Sequence, residues 1–308
     1  MMRSRATAAA AFLLAALLPI LARADGCMMP SEAAWKQMRE RSMINEPEQK
    51  AVVFFSRGRE DLIISPSYEG PADRFAWVMP VPSRPRVEIL KGAIFHELAE
   101  LVMPPESRVT GRKVLSTGAA PGVTVLERKT VGAYDVSVLS ATDSGALLKW
   151  LRANKYHLPP KAAGPVKDYV KERWTFVACR VKAPGLAKGL RTGTLAPIRL
   201  TFAAKQPVYP LRLSSANPAP FSTLVYLILP TSEVSRNVST VSFASAPGRL
   251  AHRGTLRYAT LKRGQSRFPT LSKLSHEEMQ VFVEREYWQP RDCTRDYVWD
   301  VPIRRASH

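Results

Sequence analysis

Ala51-Val52-Val53-Phe54-Phe55-Ser56-Arg57-Gly58-Arg59-Glu60-Asp61-Leu62-Ile63-Ile64 is the stretch on which the fold reading turns. Two β-branched and aromatic runs flank a short polar turn containing one glycine, which is the pattern of a β-hairpin. The same grammar recurs downstream. Val123-Thr124-Val125-Leu126-Glu127 and Tyr134-Asp135-Val136-Ser137-Val138-Leu139 read as a second hairpin. Phe75-Ala76-Trp77-Val78-Met79-Pro80-Val81-Pro82 alternates like a strand, with Trp77 in the core. Pro80 and Pro82 make its end an edge or an exit, because proline cannot donate to a ladder. Further strands are predicted at Thr175 to Val181, Ile198 to Phe202, Leu211 to Leu213, Leu224 to Leu229 and Val238 to Phe243, and the alternation of Tyr297, Trp299, Val301 and Ile303 suggests a last one.

Helical periodicity appears in between. Ser31 to Ile44 carries Trp35, Met38 and Met43 on one side, with Ser31 as cap. Leu90, Ala93, Ile94, Leu98 and Leu101 form a stripe that Pro104-Pro105 stops. Asp143 starts a helix with Leu147, Leu148 and Leu151, and Pro159-Pro160 separates it from another with Val166, Tyr169 and Val170. Ser275-His276-Glu277-Glu278 has the form of a capping box opening a helix with Met279, Phe282, Val283 and Tyr287. The polar stretch from Glu106 to Gly122 is the best internal loop. Strands joined by short turns with helices interspersed predict an α+β fold, mostly antiparallel, with several short amphipathic helices. Twice a hairpin is followed by an amphipathic helix, which suggests a weak two-part duplication, although identity between the copies is negligible.

The amino terminus points to export. Arg3 and Arg5 precede an uncharged Ala- and Leu-rich run from Ala6 to Leu21, broken by Pro19, and Ala22-Arg23-Ala24 supplies small residues at both positions of a cleavage site. The run is too short and too interrupted for a membrane anchor. Gly26-Cys27 invites a lipoprotein reading, but Ala24 and Asp25 are poor residues for lipid attachment. Residues 1–24 are therefore expected to be a signal peptide and 25–308 a single α+β domain without a transmembrane helix, placed in the periplasm or outside the cell.

The chain has 308 residues and a formal net charge of +19; loss of Arg3, Arg5 and Arg23 would leave +16. Outside the cytoplasm such a charge suits anionic partners, namely lipid headgroups, lipopolysaccharide, acidic wall polymers or, least expected, extracellular DNA, and it equally fits a solvated basic surface with no partner. The cations are scattered, as in Arg84/Arg86, Arg112/Lys113, Lys262/Arg263 and Arg304/Arg305, with no run of five. Of three cysteines, Cys179 shares a strand face with Val177 and Val181 and reads as a buried thiol. Cys27 and Cys293 lie near the two mature ends among polar residues and are the expected disulfide in an oxidising compartment.

The residues from Phe75 to Pro82, Val131-Gly132-Ala133-Tyr134-Asp135-Val136 with Ala141-Thr142-Asp143, Trp150-Leu151-Arg152-Ala153-Asn154-Lys155-Tyr156, Leu195 to Phe202 and Val208-Tyr209-Pro210-Leu211-Arg212-Leu213 together resemble the bacterial domain-of-unknown-function family 2330. The likeness runs from about Ala51 to Leu229 and weakens after about 245. It implies a bacterial, exported protein without an assigned activity.

No catalytic, metal or cofactor-binding motif stands out. His96-Glu97-Leu98-Ala99-Glu100 lacks the second histidine of a zinc-protease helix, and reads as a polar helix face. There is no nucleophile elbow, and Gly185, Gly189 and Gly193 are not followed by a phosphate-binding helix. Asp135 and Asp143 could pair for acid–base work, but solvent exposure explains Asp135 and capping explains Asp143. The expectation is a non-enzymatic exported protein that binds something at the cell envelope. The alternatives are an extracytoplasmic hydrolase with an unrecognised site, or an assembly partner using a sheet edge.

Overall fold

The computed structural model describes residues 27–30, 48–65, 67–69, 75–102, 124–131, 134–154, 156, 158–181, 192–194, 196–234 and 238–301. The signal at 1–24, the helix at 31–44, the stop at Pro104-Pro105 and the loop at 106–122 lie outside them.

The quoted hairpin forms as read. β2 (Glu48–Ser56) and β3 (Arg59–Ile64) pair antiparallel, with Ser56 opposite Arg59. Arg57 and Gly58 both have positive φ, 50° and 75°, the conformation that a two-residue hairpin loop needs to match strand twist. Glu233 holds this turn, accepting from Ser56 Oγ at 2.6 Å and from the Arg57 N–H at 3.2 Å.

The remaining strands are β1 (Cys27–Pro30), β4 (Ser67–Glu69), β5 (Phe75–Val81), β6 (Arg86–Ile89), β7 (Thr124–Val131), β8 (Tyr134–Ser140), β9 (Thr175–Val181), β10 (Thr192–Thr194), β11 (Ile198–Ala203), β12 (Val208–Tyr209), β13 (Phe221–Pro230), β14 (Thr240–Ser245), β15 (Gly254–Leu261), β16 (Met279–Trp288) and β17 (Tyr297–Asp300). The helices are α1 (Ile94–Val102), α2 (Ser144–Ala153), α3 (Ala163–Lys171) and α4 (Pro269–Leu274). The fold is α+β and mostly antiparallel, as the sequence implies.

Ten strands form one sheet in the order β12-β17-β14-β15-β16-β13-β2-β3-β11-β6, and five form another in the order β1-β5-β9-β8-β7. β4 and β10 make a separate ribbon. The two hairpins that suggested a duplication sit in different sheets. The described pairing of β1 with β5 runs from Phe75 to Val78, and Pro80 lies beyond it.

The sheets stack face to face. Val53, Phe55, Leu62, Ile64, Leu200, Leu227 and Phe282 of the large sheet share one buried cluster with Trp77, Met79, Tyr134, Val136, Val177 and Cys179 of the small one. The outer face of the small sheet, through Val78, Leu139, Phe176 and Ala178, is covered by Leu147, Trp150 and Leu151 of α2 and Val166, Tyr169 and Val170 of α3. Part of the outer face of the large sheet, through Val52, Ile63, Ile228 and Val281, is covered by Ile94 and Leu98 of α1 and Leu271 of α4. The result is four layers, helices outside and sheets inside.

Three expectations are corrected. Met279 to Trp288 is a strand rather than a helix. Its place between β13 and β15 buries side chains on both faces at its start, so Met279, Phe282 and Val283 mimic a helical stripe. Ser275 consequently caps no helix there; its hydroxyl donates to the Glu277 carbonyl at 2.5 Å. Leu211 to Leu213 leads into a 3-10 turn, Arg212–Ala216, because the N–H groups of Leu211 and Arg212 donate to the Asp296 carboxylate instead of to a ladder. Glu97 does not belong to a polar helix face. It is buried, and its carboxylate accepts from the N–H groups of Thr270 and Leu271 at 2.9 Å, capping α4.

Thr270 reciprocates, its hydroxyl accepting from the Ala93 N–H at 3.2 Å where α1 begins. Gly92 makes this approach possible: its φ is +123°, and a Cβ there would lie 2.3 Å from Thr270 Oγ1. Replacing Glu97 by Ala strips a charged acceptor from buried amides and should cost about 2–3 kcal/mol in urea unfolding. Gly92→Ala should also destabilise. A loss below about 0.5 kcal/mol for Glu97→Ala, the range of an ordinary surface substitution, would show that the clip between α1 and α4 is not a stabilising contact.

Candidate functional site

Titratable groups buried in the fold fall into clusters with visible structural work. Asp296 accepts from the Tyr169 hydroxyl at 2.5 Å, from the N–H groups of Leu211 and Arg212 at 2.8 and 3.0 Å, and from Arg212 Nε at 2.8 Å. Burial still holds its carboxyl above the ordinary aspartate range, opposed by the Arg212 charge. Arg212 lies over the Tyr169 ring, 4.1 Å from its centre, and grips Glu172 through two bonds of 2.6 Å. The cluster ties α3 of one outer layer to the end of the large sheet. Its hydrogen bonds are turned inward, so it offers no free nucleophile or base.

The residues singled out in the sequence do not assemble. Asp143 caps α2, accepting from the Ala146 N–H at 2.6 Å. Asp135 lies at the far end of β8 from it and is buried rather than exposed, opposite Arg180 on β9. The reason is the face: Asp135 shares its side of β8 with Leu139, and that side of the small sheet is the one packed against α2 and α3. His96 Nδ1 lies 3.8 Å from Glu100 Oε1, and Arg267 approaches the same carboxylate at 3.5 Å. Among the described residues no group of three or more His, Cys, Asp or Glu side chains is arranged to hold a metal ion. Cys179 and Cys293 are buried free thiols, and burial raises the pKa of both, which suppresses the thiolate. The side chain of Cys27 lies outside the described residues.

The surface is more informative. Leu256, Tyr258 and Tyr287 are the exposed large hydrophobics among the described residues, at 53%, 56% and 51%, and all three belong to β15 and β16. Leu256 lies opposite Val283, which lies opposite Tyr226 and, through it, Val52. Residues directly opposite share a sheet face, so Leu256, Val283, Arg285 and Tyr287 lie on the face that α1 and α4 cover elsewhere. The helices stop short of this end. Tyr258 stands at a bulge, between Arg257 opposite Phe282 and Ala259 opposite Val281, just where β14 ceases to pair.

The segment as a whole is basic. Residues 249–291 hold nine basic residues, Arg249 to Arg291, against four acidic ones, Glu277, Glu278, Glu284 and Glu286. Arg253 bridges Glu284 and Glu286, the latter at 2.8 Å, and Arg249 pairs with Glu286. Arg285, Lys262 and Arg263 are exposed and have no ion-pair partner among the described residues. Tyr226, buried beneath this end of the sheet, has its hydroxyl pKa pushed up to about 12 by burial, opposed by the charge of Arg285. Of the basic pairs noted in the sequence, Lys262/Arg263 follows β15 at its other end, where Leu261 lies opposite Met279, Arg86 is paired with Glu88, and Arg112/Lys113 and Arg304/Arg305 lie outside the described residues.

The family model described as "Uncharacterized protein conserved in bacteria (DUF2330)" matches residues 33–246. The chain belongs to this family. The DUF2330 match ends just before β15, so the basic and aromatic segment lies beyond it, although β16 and β17 are built into the same sheet. No curated protein matches the chain. A crystal structure of baculovirus P35 aligns at a TM-score of 0.31 and 10% identity, covering 82% of this chain and 91% of that one. A likeness of that size carries no argument about this DUF2330 protein.

Glu60 is the remaining buried acid of note. It is fully buried on β3, its Oε2 accepts from the Val208 N–H at 2.8 Å, and its Oε1 has no partner. Desolvation raises its pKa well above the ordinary 4.5. The folded protein thus keeps this proton to higher pH than the unfolded chain. The stability it contributes is complete below about pH 4.5 and is lost as pH rises toward the folded value. Glu60→Gln, which mimics the protonated acid, should flatten the fall in unfolding free energy between about pH 4 and 8 relative to wild type. Parallel stability curves for the two proteins would contradict a raised Glu60.

Proposed function

We propose that this protein is an exported, non-enzymatic component of the bacterial cell envelope that binds anionic envelope material through its basic surface. The observation that carries the reading is the formal net charge of +19, with Lys262, Arg263 and Arg285 exposed and without an ion-pair partner among the described residues. Export is supported by the charged, apolar and small-residue order of residues 1–24. Bacterial origin accords with the family. The inward-turned hydrogen bonds of the Asp296 cluster are those of a scaffold, and binding by a charged surface asks nothing more of them. Among the described residues no helix is long and apolar enough to cross a membrane.

Export also brings an oxidising compartment. The proposed Cys27–Cys293 bond would form as the two thiols give up two protons and two electrons to a thiol oxidant there. It is supported by a shared neighbour: β1 and the turn ending at Cys293 both pack on the 3-10 turn Arg212–Ala216. Peptide mapping of the exported protein without reductant should begin at Asp25 and yield Cys27 joined to Cys293. A lipid-modified Cys27, an uncleaved chain, or Cys27 and Cys293 both open to alkylation would sink this part of the reading.

Binding itself is tested with purified mature protein and soluble dextran sulfate or lipopolysaccharide. Affinity should fall about tenfold or more between about 50 and 500 mM salt, because counterions screen surface charge. Absence of binding at low salt would end the proposal.

A further inference from the structure

We infer that residues 204–210 are a strap, latched to the large sheet by the buried carboxyl of Glu60, and that this strap lets go in alkaline conditions while the rest of the fold stays closed. Nothing in this depends on what the surface binds. β11 lies at one end of the large sheet, beside β6, and β12 forms the opposite edge. Residues 204–207 are all that separates the two strands in sequence, a reach of at most about 18 Å. The sheet must curl until its two ends come close, and the strap crosses between them. The Ala204 N–H donates to the Gly58 carbonyl at 3.0 Å, the Val208 N–H to Glu60 Oε2 at 2.8 Å, and the Tyr209 hydroxyl to Gln49 Oε1. On its other side β12 pairs with β17 through Val208 and Tyr209, and the Trp299 N–H donates to the Pro207 carbonyl at 3.1 Å.

Glu60 is the anchor that can titrate. It is fully buried, and its neighbours across the ladder are apolar, Phe55 on β2 and Phe202 on β11. Its Oε1 has no partner, so the anion would carry one oxygen without a donor. A neutral acid there leaves a polar group unmatched; an anion leaves a charge unmatched, which is far more costly. Asp61, next along β3, accepts from Arg199 and Thr201, and its negative charge further opposes ionisation of Glu60. Arg59 on β3, Lys205 on the strap and Asp300 on β17 are exposed, and the Tyr209 hydroxyl is engaged by Gln49. Ionised Glu60 therefore gains by reaching water. β3 is held on each side by a ladder of six residue pairs, whereas β12 is held by two. The strap yields first, and its departure bares the edge of β17. The sign follows from the raised acid: the latch is complete while Glu60 keeps its proton and weakens as pH rises through the folded value.

The test follows hydrogen–deuterium exchange at single amides of the full mature chain by NMR, corrected for the intrinsic pH dependence of exchange, from about pH 5 to 9. Val208 should lose protection by about tenfold for each pH unit above the folded value of Glu60, while Leu227 in the middle of β13 keeps its protection. Glu60→Gln retains an acceptor for the Val208 N–H and cannot ionise, so it should hold Val208 protection constant over the same range. Constant protection of Val208 in the wild type would overturn the inference. Parallel loss at Val208 and Leu227 would also overturn it, because the whole fold would then be opening. An equal loss in Glu60→Gln would place the titration on another group and overturn it as well. If Glu60→Gln fails to fold, the contrast between Val208 and Leu227 in the wild type decides alone.

Discussion

Every layer of the molecule leans on the burial of one strand from both sides. β13 runs Leu224-Val225-Tyr226-Leu227-Ile228-Leu229 with scarcely an exposed side chain. Val225, Leu227 and Leu229 face the small sheet, while Tyr226 and Ile228 face α1 and α4. It pairs antiparallel with β16 and parallel with β2, and that parallel pair joins the front of the chain to its last third. A strand with no wet face has no tolerance for a polar side chain that lacks a partner. The polar exceptions follow this rule: Thr223 is hydrogen-bonded with Trp288 and Tyr297.

Charges inside the fold act as fasteners between layers. Glu97 and Thr270 cap each other's helices, Glu233 holds the first hairpin turn, and Asp296 with Arg212 joins α3 to the large sheet. Each carboxylate is surrounded by donors that come from distant parts of the sequence. These contacts define geometry more than they add stability, because a buried ion must recover its desolvation cost through those same bonds.

Much of the architecture was legible because alternation and capping are local. The hairpin turn at Arg57-Gly58, the Asp143 cap and the β9 face of Cys179 all followed from neighbours in sequence. The failures came where a distant partner changed the local balance. Glu97 looks like any helix-surface glutamate until a helix begun 172 residues later presents its amides. Asp135 looks exposed until α2 and α3 pack on the face of β8 that it shares with Leu139. β15 hid itself: it exposes Leu256 and Tyr258 and buries Thr255, whose hydroxyl accepts from Trp299 Nε1, so its period-two pattern is inverted, and a bulge after Arg257 breaks it. The strand was invisible for that reason, since Leu256 and Tyr258 look like core residues.

The pairing of β2 with β13 bears on when this protein can fold. The two strands lie about half the chain apart, and β13 is flanked on its other side by β16, later still. The first hairpin can form early but cannot be covered until nearly the whole chain is present, and closing loops of that length is slow. A ribosome would therefore release a polypeptide whose large sheet is still open. Such a delay would serve the proposed export, since an open chain can pass as a thread through a narrow channel before its four layers lock.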